Sequence, residues 1–538
     1  MGVRQGIAVA AAVVAAVGIT APAASAAFGV SDFKAEVRKS NTPGDLETQA
    51  GATPFTGVTD FSFNRTLLQT PDGNVKDIRV DLPPGLVSNP QATPKCTDDQ
   101  FPSCPPATQL GTEQIYTAAG LPLPVANVYN MVPKPGQVSL FAFDTLLGRT
   151  DIVGGIRDHS DYGLFFTISD TPQSANLTQS VLTFFGRPAA QNGGGGAPTS
   201  FITLPTSCSG PQTTNLTVTS WAGETATATA TTPTGATGCD ALPFAPAIAA
   251  TTHAATRGGP AGLTVKLSQA AGQANVKSVS VTLPAALGVR LETLKNACPE
   301  ATFQADPATC PPAARVGSTS ATTPLLAAPL TGDVYLEAHA AGKLPTLQAI
   351  LHGPGLQVAL TGSIDLSHGV TSTFDGIPDL PISEFVLNLD GGAGSPLAVT
   401  ADMCAAPLNL SSSITAQSGK VQTGQAPVAV AGCGVAVLGR KVSGKRASVT
   451  LRVPSAGRVT LSGKGVRTTT FGTRGAGTVT SHVKLSSSGA KTLRKNAARH
   501  RALVVRLRAA FTPAQGAAAG GEPVTSSSRL ARLIFRSR

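Results

Sequence analysis

Val75-Lys-Asp-Ile-Arg-Val-Asp-Leu-Pro-Pro-Gly-Leu86 reappears later in the chain as Val276-Lys-Ser-Val-Ser-Val-Thr-Leu-Pro-Ala-Ala-Leu287. In both stretches apolar and polar residues alternate, β-branched side chains dominate, and the run stops at Pro83 or Pro284. Proline cannot donate to a β-ladder, so each stretch reads as a half-buried strand ending in a turn. Working outward, Cys104-Pro-Pro-Ala-Thr-Gln-Leu-Gly-Thr112 returns as Cys310-Pro-Pro-Ala-Ala-Arg-Val-Gly-Ser318, and Asn127-Val-Tyr129 as Asp333-Val-Tyr335. Matched segments in the same order identify an internal duplication, which sets the architecture before any single motif does.

The cysteines follow the same register. Cys96, Cys104, Cys208 and Cys239 correspond to Cys298, Cys310, Cys404 and Cys433, with offsets of 202, 206, 196 and 194. Each copy holds a close pair and, about a hundred residues on, a wider pair. In an exported chain an even set of this kind reads as disulfides, and the duplication favours pairings that serve both copies alike: Cys96 with Cys104, Cys208 with Cys239, Cys298 with Cys310 and Cys404 with Cys433. Loop-closure entropy assigns about 2.6 kcal/mol to the first and about 3.7 kcal/mol to the second as upper guides. A metal site would need Cys or His at short spacing, and no His lies near these pairs.

Export is itself read from the N-terminus. Arg4, an apolar run over 7–19, and small residues at Ala24 and Ala26 form the pattern of a secretory signal peptide cleaved after Ala26. The run is shorter than the roughly 20 residues of a spanning helix, so no transmembrane segment is expected after signal removal. The predicted organisation is a signal peptide over 1–26, a β-sandwich module over 27–245, its second copy over 246–435, and a basic immunoglobulin-like β domain over 436–538.

Composition supports an all-β class. The chain has 538 residues with Gly 57 and Pro 41, and charged residues make up only 13%, which suits short strands joined by tight turns. Further strand-like runs occur at 138–143, 163–168, 180–185, 215–219, 347–351, 357–360 and 384–389. Each module is therefore expected to be a disulfide-bearing β-sandwich, with jelly-roll and immunoglobulin-like topologies both open. Residues 245–260 read as the linker between copies, and 193–196 as a mobile glycine loop.

Charge is partitioned. Residues 440–538 hold 21 Lys and Arg against the single acid Glu522, a net of +20, and the total is +11, so the remainder carries −9. Strand patterns at 448–453, 458–462, 479–485, 502–511 and 530–536, with one helical patch at 488–498, suit a small immunoglobulin-like sandwich. Its charge points to anionic cell-wall polymers or lipid head groups as partners. Export, the lack of interleaved aromatics and the lack of a reader motif argue against nucleic acid.

The search for chemistry returns little. No Gly-x-Ser-x-Gly elbow, His-Glu-x-x-His helix, phosphate loop or dinucleotide fingerprint occurs, and His159, His253 and His368 have no counterparts between copies. No catalytic residue, metal ligand or cofactor is expected. Asp151, Asp158 and Asp161 leave calcium binding open, without the Asp-x-Asp-x-Asp-Gly loop of an EF-hand. Trp221, the only Trp, and Tyr129 are the candidate platform for a sugar.

Leu82-Pro-Pro-Gly-Leu86, Cys96, Cys104-Pro-Pro-Ala107 and Gly111 resemble a pattern found in uncharacterised secreted repeat proteins of high-GC Gram-positive bacteria, whose modules end in a basic immunoglobulin-like domain. The resemblance spans most of 55–538, departs at Ala285-Ala286, and implies no activity. The expectation is a secreted, non-enzymatic cell-envelope protein with a structural or adhesive role. The alternatives are an extracellular carbohydrate- or ligand-binding protein and an unrecognised secreted hydrolase.

Overall fold

The computed structural model describes residues 27–536 apart from 159, 254, 341, 405–406, 517, 520–521 and 524–525. The segment 1–26 read as a signal peptide, His159 and part of the glycine-rich stretch at 516–521 lie outside the described residues. The protein is all-β, and its modules are disulfide-bearing sandwiches.

The first copy contributes eleven strands: β1 (Val30–Arg38), β2 (Thr56–Phe63), β3 (Val75–Asp81), β4 (Gln109–Tyr116), β5 (Ala126–Met131), β6 (Ser139–Thr145), β7 (Gly148–Ile156), β8 (Leu164–Ile168), β9 (Gln179–Phe185), β10 (Thr213–Ser220) and β11 (Thr225–Thr231). They hydrogen-bond in the order β1-β2-β9-β4-β5-β6-β7-β8-β3-β10-β11. The second copy contributes β12 (Ala247–His253), β13 (Leu263–Ser268), β14 (Val276–Thr282), β15 (Arg315–Thr322), β16 (Leu330–Glu337), β17 (Thr346–Gly353), β18 (Leu356–Asp365), β19 (Thr371–Phe374), β20 (Glu384–Leu389), β21 (Leu408–Ala416) and β22 (Val421–Ala431). Adding eleven to every strand number of the first order yields the second. The duplication thus extends from sequence to strand order, and the two layers of each sandwich are halves of one continuous ladder.

The copies differ at the seam. In the second, β12 pairs in parallel with β22, Ala250 opposite Val428 and His253 opposite Ala431, and the barrel closes. In the first, β1 and β11 lie alongside each other but the ladder stays open. This corrects the linker expected over 245–260. Seven of its sixteen residues are β12, which the alternation of Ala250 and Thr252 inward with Ala249 and Thr251 toward the surface makes a seam strand rather than a tether. Its alanines give little β-propensity, and tertiary pairing overrides that.

The copies also dock on each other. The Asp379 carboxylate accepts from the backbone N–H of Thr206 (2.9 Å) and Ser207 (3.0 Å), the Thr206 hydroxyl (2.6 Å) and the Asn275 amide (2.8 Å). The Tyr162 hydroxyl accepts from the N–H of Ala359 at 3.1 Å. Gly85 explains the departure between the two Leu-Pro motifs. It sits at φ +82°, and an added Cβ would stand 2.9 Å from both Asp379 Oδ2 and Pro205 Cβ. Ala286 faces no such constraint.

The C-terminal domain is a two-sheet sandwich. β23 (Ala436–Ser443), β24 (Arg446–Val453) and β27 (Gly477–Lys484) form one sheet. β26 (Thr469–Thr473), β25 (Gly457–Ser462), β28 (Leu503–Pro513) and β29 (Ser527–Phe535) form the other, with the helix Ser487–Ala497 between β27 and β28. Val449, Leu451, Val459, Leu461, Leu507, Leu533 and Phe535 fill the space between the sheets.

Candidate functional site

Each small disulfide anchors a node on its barrel wall. Cys96 and Cys104 bridge with Cα atoms 5.7 Å apart, and Cys298 and Cys310 with 5.4 Å. The Cys96 N–H donates to the carbonyl of Asn130 and the Cys298 N–H to that of Leu336, so each loop hangs on β5 or β16 at the same register. An edge-on aromatic pair covers each bridge: Phe101 with Tyr129 at 6.5 Å and Phe303 with Tyr335 at 6.2 Å. The wider bridges, Cys208–Cys239 and Cys404–Cys433, tie the entry of β10 or β21 to the exit of β11 or β22, with Cα separations of 6.0 and 5.8 Å. Tyr129 is thus occupied in packing. Trp221 stands on the turn after β10, with four strands between β10 and β5 in the ladder. Its Nε1–H donates to the Thr171 carbonyl and the Lys76 ammonium lies 5.4 Å from its ring. The two aromatics do not form one platform.

The aspartates singled out from the sequence are held apart by arginines. Asp151 accepts from Arg149 Nε at 2.6 Å, and Arg149 also reaches Asp98 and stacks over Phe101. Asp161 accepts from Arg157 at 2.8 and 2.9 Å, which, with the Gly163 N–H, holds its carboxyl below the usual range. Asp158 is exposed. Among the described residues no three His, Cys, Asp or Glu side chains cluster as a metal site.

Two buried features escaped sequence reading. Glu113, on β4, is 2% exposed and its carboxyl meets the Ser180 hydroxyl at 2.7 Å. Burial pushes its pKa up to about 8, with the neighbouring Asp60 charge adding to the rise. The second is a difference in the cores. In the first copy, Phe141, Phe166, Phe184 and Phe201 pack as one cluster with ring centroids 5.3–6.1 Å apart. In the second, aliphatic side chains dominate; an apolar cavity of about 120 Å³ lies there, and one of about 110 Å³ lies beside Phe166, Phe184 and Phe201 in the first.

On the basic domain, the outer face of the β28–β29 pair presents Arg506 directly opposite Arg532 and Arg508 opposite Leu530. Val504, Ile534 and Leu530 on the same face are 43%, 42% and 73% exposed. Like charges opposite each other across strands destabilise a sheet, so the Arg506–Arg532 pair is a repulsive contact on this face. Among the described residues no helix is long and apolar enough to cross a membrane.

No family model matches the chain, and no curated protein is similar to it in sequence. Among solved structures, the type II cohesin dyad from the adaptor ScaA scaffoldin of Acetivibrio cellulolyticus aligns at 10% identity over 75% of this chain and 97% of its own, with a TM-score of 0.16. The C-terminal domain of the AgI/II polypeptide BspA of Streptococcus agalactiae aligns at 6% identity over 74% and 97%, with a TM-score of 0.19. A tetra-tandem repeat from the extending region of a large adhesion protein aligns at 9% identity over 95% and 98%, with a TM-score of 0.12. Superpositions at TM-scores this low do not establish a shared fold.

Proposed function

We propose that the protein is a secreted, non-enzymatic component of the cell envelope, in which two docked barrels serve a structural or adhesive role and the basic domain holds them against an anionic wall or membrane surface. The observation that carries this reading is the face bearing Arg506, Arg508 and Arg532, in a domain with one acid to balance 21 basic residues. Such a surface is drawn to arrays of phosphate or carboxylate, and the attraction is screened as salt rises. Four disulfides, two of them wrapped in matching aromatic nodes, suit a scaffold that works in an oxidising space outside the cell. Asp151 and Asp161 are engaged by Arg149 and Arg157 rather than converging on a cleft, which favours the non-enzymatic reading.

Sedimentation of the mature chain with isolated cell wall and with vesicles containing anionic lipid tests the proposal. Binding should fall steeply between about 0.1 M and about 1 M salt, as the Debye length shrinks from about 10 to about 3 Å. An R506Q/R532Q double variant, altered only at exposed positions, should bind several-fold more weakly while keeping its fold. Salt-independent retention, or a double variant that binds like the parent, would contradict the assignment.

A further inference from the structure

The two sheets of the basic domain present different outer faces. On one, Arg446, Ser448, Thr450 and Arg452 of β24 stand opposite Lys484, His482, Thr480 and Thr478 of β27, so that face carries hydroxyls, an imidazole and charges. On the other, Val504 stands opposite Ile534, Arg506 opposite Arg532 and Arg508 opposite Leu530, and β25 adds Thr460 and Ser462 beside Ala510 and Arg508. Among the described residues of this domain four large apolar side chains are exposed: Leu438, Val504, Leu530 and Ile534. Val504, Leu530 and Ile534 share the second face, at 43%, 73% and 42% exposure with the whole chain in place.

Strand alternation aims them outward. Val505, Leu507 and Ala509 on β28, and Ala531, Leu533 and Phe535 on β29, fill the space between the sheets, while Val504, Arg506 and Arg508 and their partners Leu530, Arg532 and Ile534 take the solvent side. The exposed apolar side chains therefore add nothing to the core. One acid in residues 440–538, Glu522, cannot neutralise three arginines, so charge complementarity favours an anionic partner. The apolar residues set between the arginines select its kind. A wall polymer of phosphate or carboxylate is hydrated along its whole length, and covering Val504, Leu530 and Ile534 with it returns little. A phospholipid surface places phosphates directly over an acyl layer, and an amphipathic element settles about 5–10 Å into that boundary. Arginine stems are long enough to keep the guanidinium at the phosphates while shorter neighbours enter the apolar region, and a guanidinium can grip phosphate through two parallel hydrogen bonds.

We infer that the outer face of the β26–β25–β28–β29 sheet docks on an anionic phospholipid bilayer, with Arg506, Arg508 and Arg532 on lipid phosphates and Val504, Leu530 and Ile534 in the boundary layer beneath them, an assignment that rests on the electrostatic role proposed for this domain and narrows its partner from wall or membrane to membrane.

The purified mature chain, applied to a phosphatidylglycerol monolayer and to vesicles of phosphatidylglycerol and phosphatidylcholine, with inorganic polyphosphate as a lipid-free polyanion, tests this. The parent should raise the surface pressure of the monolayer and bind the vesicles. V504S/L530S/I534S, altered only at exposed positions, should lose the pressure rise and weaken vesicle binding by about tenfold or more, because apolar area no longer leaves water on docking. It should bind polyphosphate like the parent, with circular dichroism unchanged. R506Q/R532Q should weaken vesicle and polyphosphate binding alike. A parent that binds vesicles without raising the pressure, or a folded triple variant that binds them like the parent, would overturn the lipid face and leave the electrostatic role standing. A parent held more tightly by lipid-free wall than by vesicles would overturn the choice of partner. A parent that binds neither polyphosphate nor vesicles would overturn the electrostatic role and the lipid face together.

Discussion

The two barrels share one strand order and one disulfide plan, yet the first is open at its seam and centred on a cluster of four phenylalanine rings, while the second is closed by a parallel strand pair and lined mainly by aliphatic side chains. Topology is therefore carried by what the copies have in common: strand ends set by proline and glycine, and disulfide nodes at fixed register. Side-chain volume inside the ladder is free to diverge.

This contrast yields a graded set of expected outcomes. Phe141, fully buried at the centre of the ring cluster, should cost about 3–5 kcal/mol when replaced by Ala, and its counterpart Leu347 about 2 kcal/mol, the lower end for such a change, because it already borders empty space. Denaturant unfolding of both variants gives the comparison, and equal costs would break it. Removing Cys208–Cys239 by paired serine substitution should destabilise by up to about 3.7 kcal/mol and expose the amides of β11 to hydrogen exchange. Removing Cys404–Cys433 should leave β22 more protected, since its ladder to β12 survives.

Glu113 sharpens the comparison through pH, because the second barrel has Thr319 at its position, donating to the Val386 carbonyl. With a folded pKa of about 8 against an ordinary value of 4.5, the native state keeps a proton that the unfolded chain has lost. Stability should therefore fall as pH rises from about 4.5 to about 8 and level off above that. E113Q should lack this slope, and thermal melts across the window would show it. The smallest effect is expected at Trp221, where alanine removes one hydrogen bond and an exposed cation–π contact, for less than about 1 kcal/mol.

Much of this was legible in the sequence where local chemistry and the duplication agree. The strand at 75–81 is bounded by its own proline, and β6, β9, β17 and β20 announce themselves as apolar runs. The register of the two cysteine sets singles out the partners that the structure bridges, and β24, β25 and β28 follow the alternation at 448–453, 458–462 and 502–511. Legibility stops where pairing is non-local and side chains are small. β12, built on Thr and Ala, reads as a linker because neither residue signals burial until a distant strand lies beside it. Glu113 carries no signal in the sequence, since only the ladder reveals that it points into a core. Tyr129 was read as a possible platform, and its edge-on contact with Phe101 belongs to the disulfide node.

Peptide mapping of the mature protein by mass spectrometry without reduction addresses the duplicated scaffold most directly. It should recover four bridged pairs, Cys96–Cys104, Cys208–Cys239, Cys298–Cys310 and Cys404–Cys433, each confined to one copy. Free thiols at these positions, or a bridge joining a cysteine of the first copy to one of the second, would contradict the account.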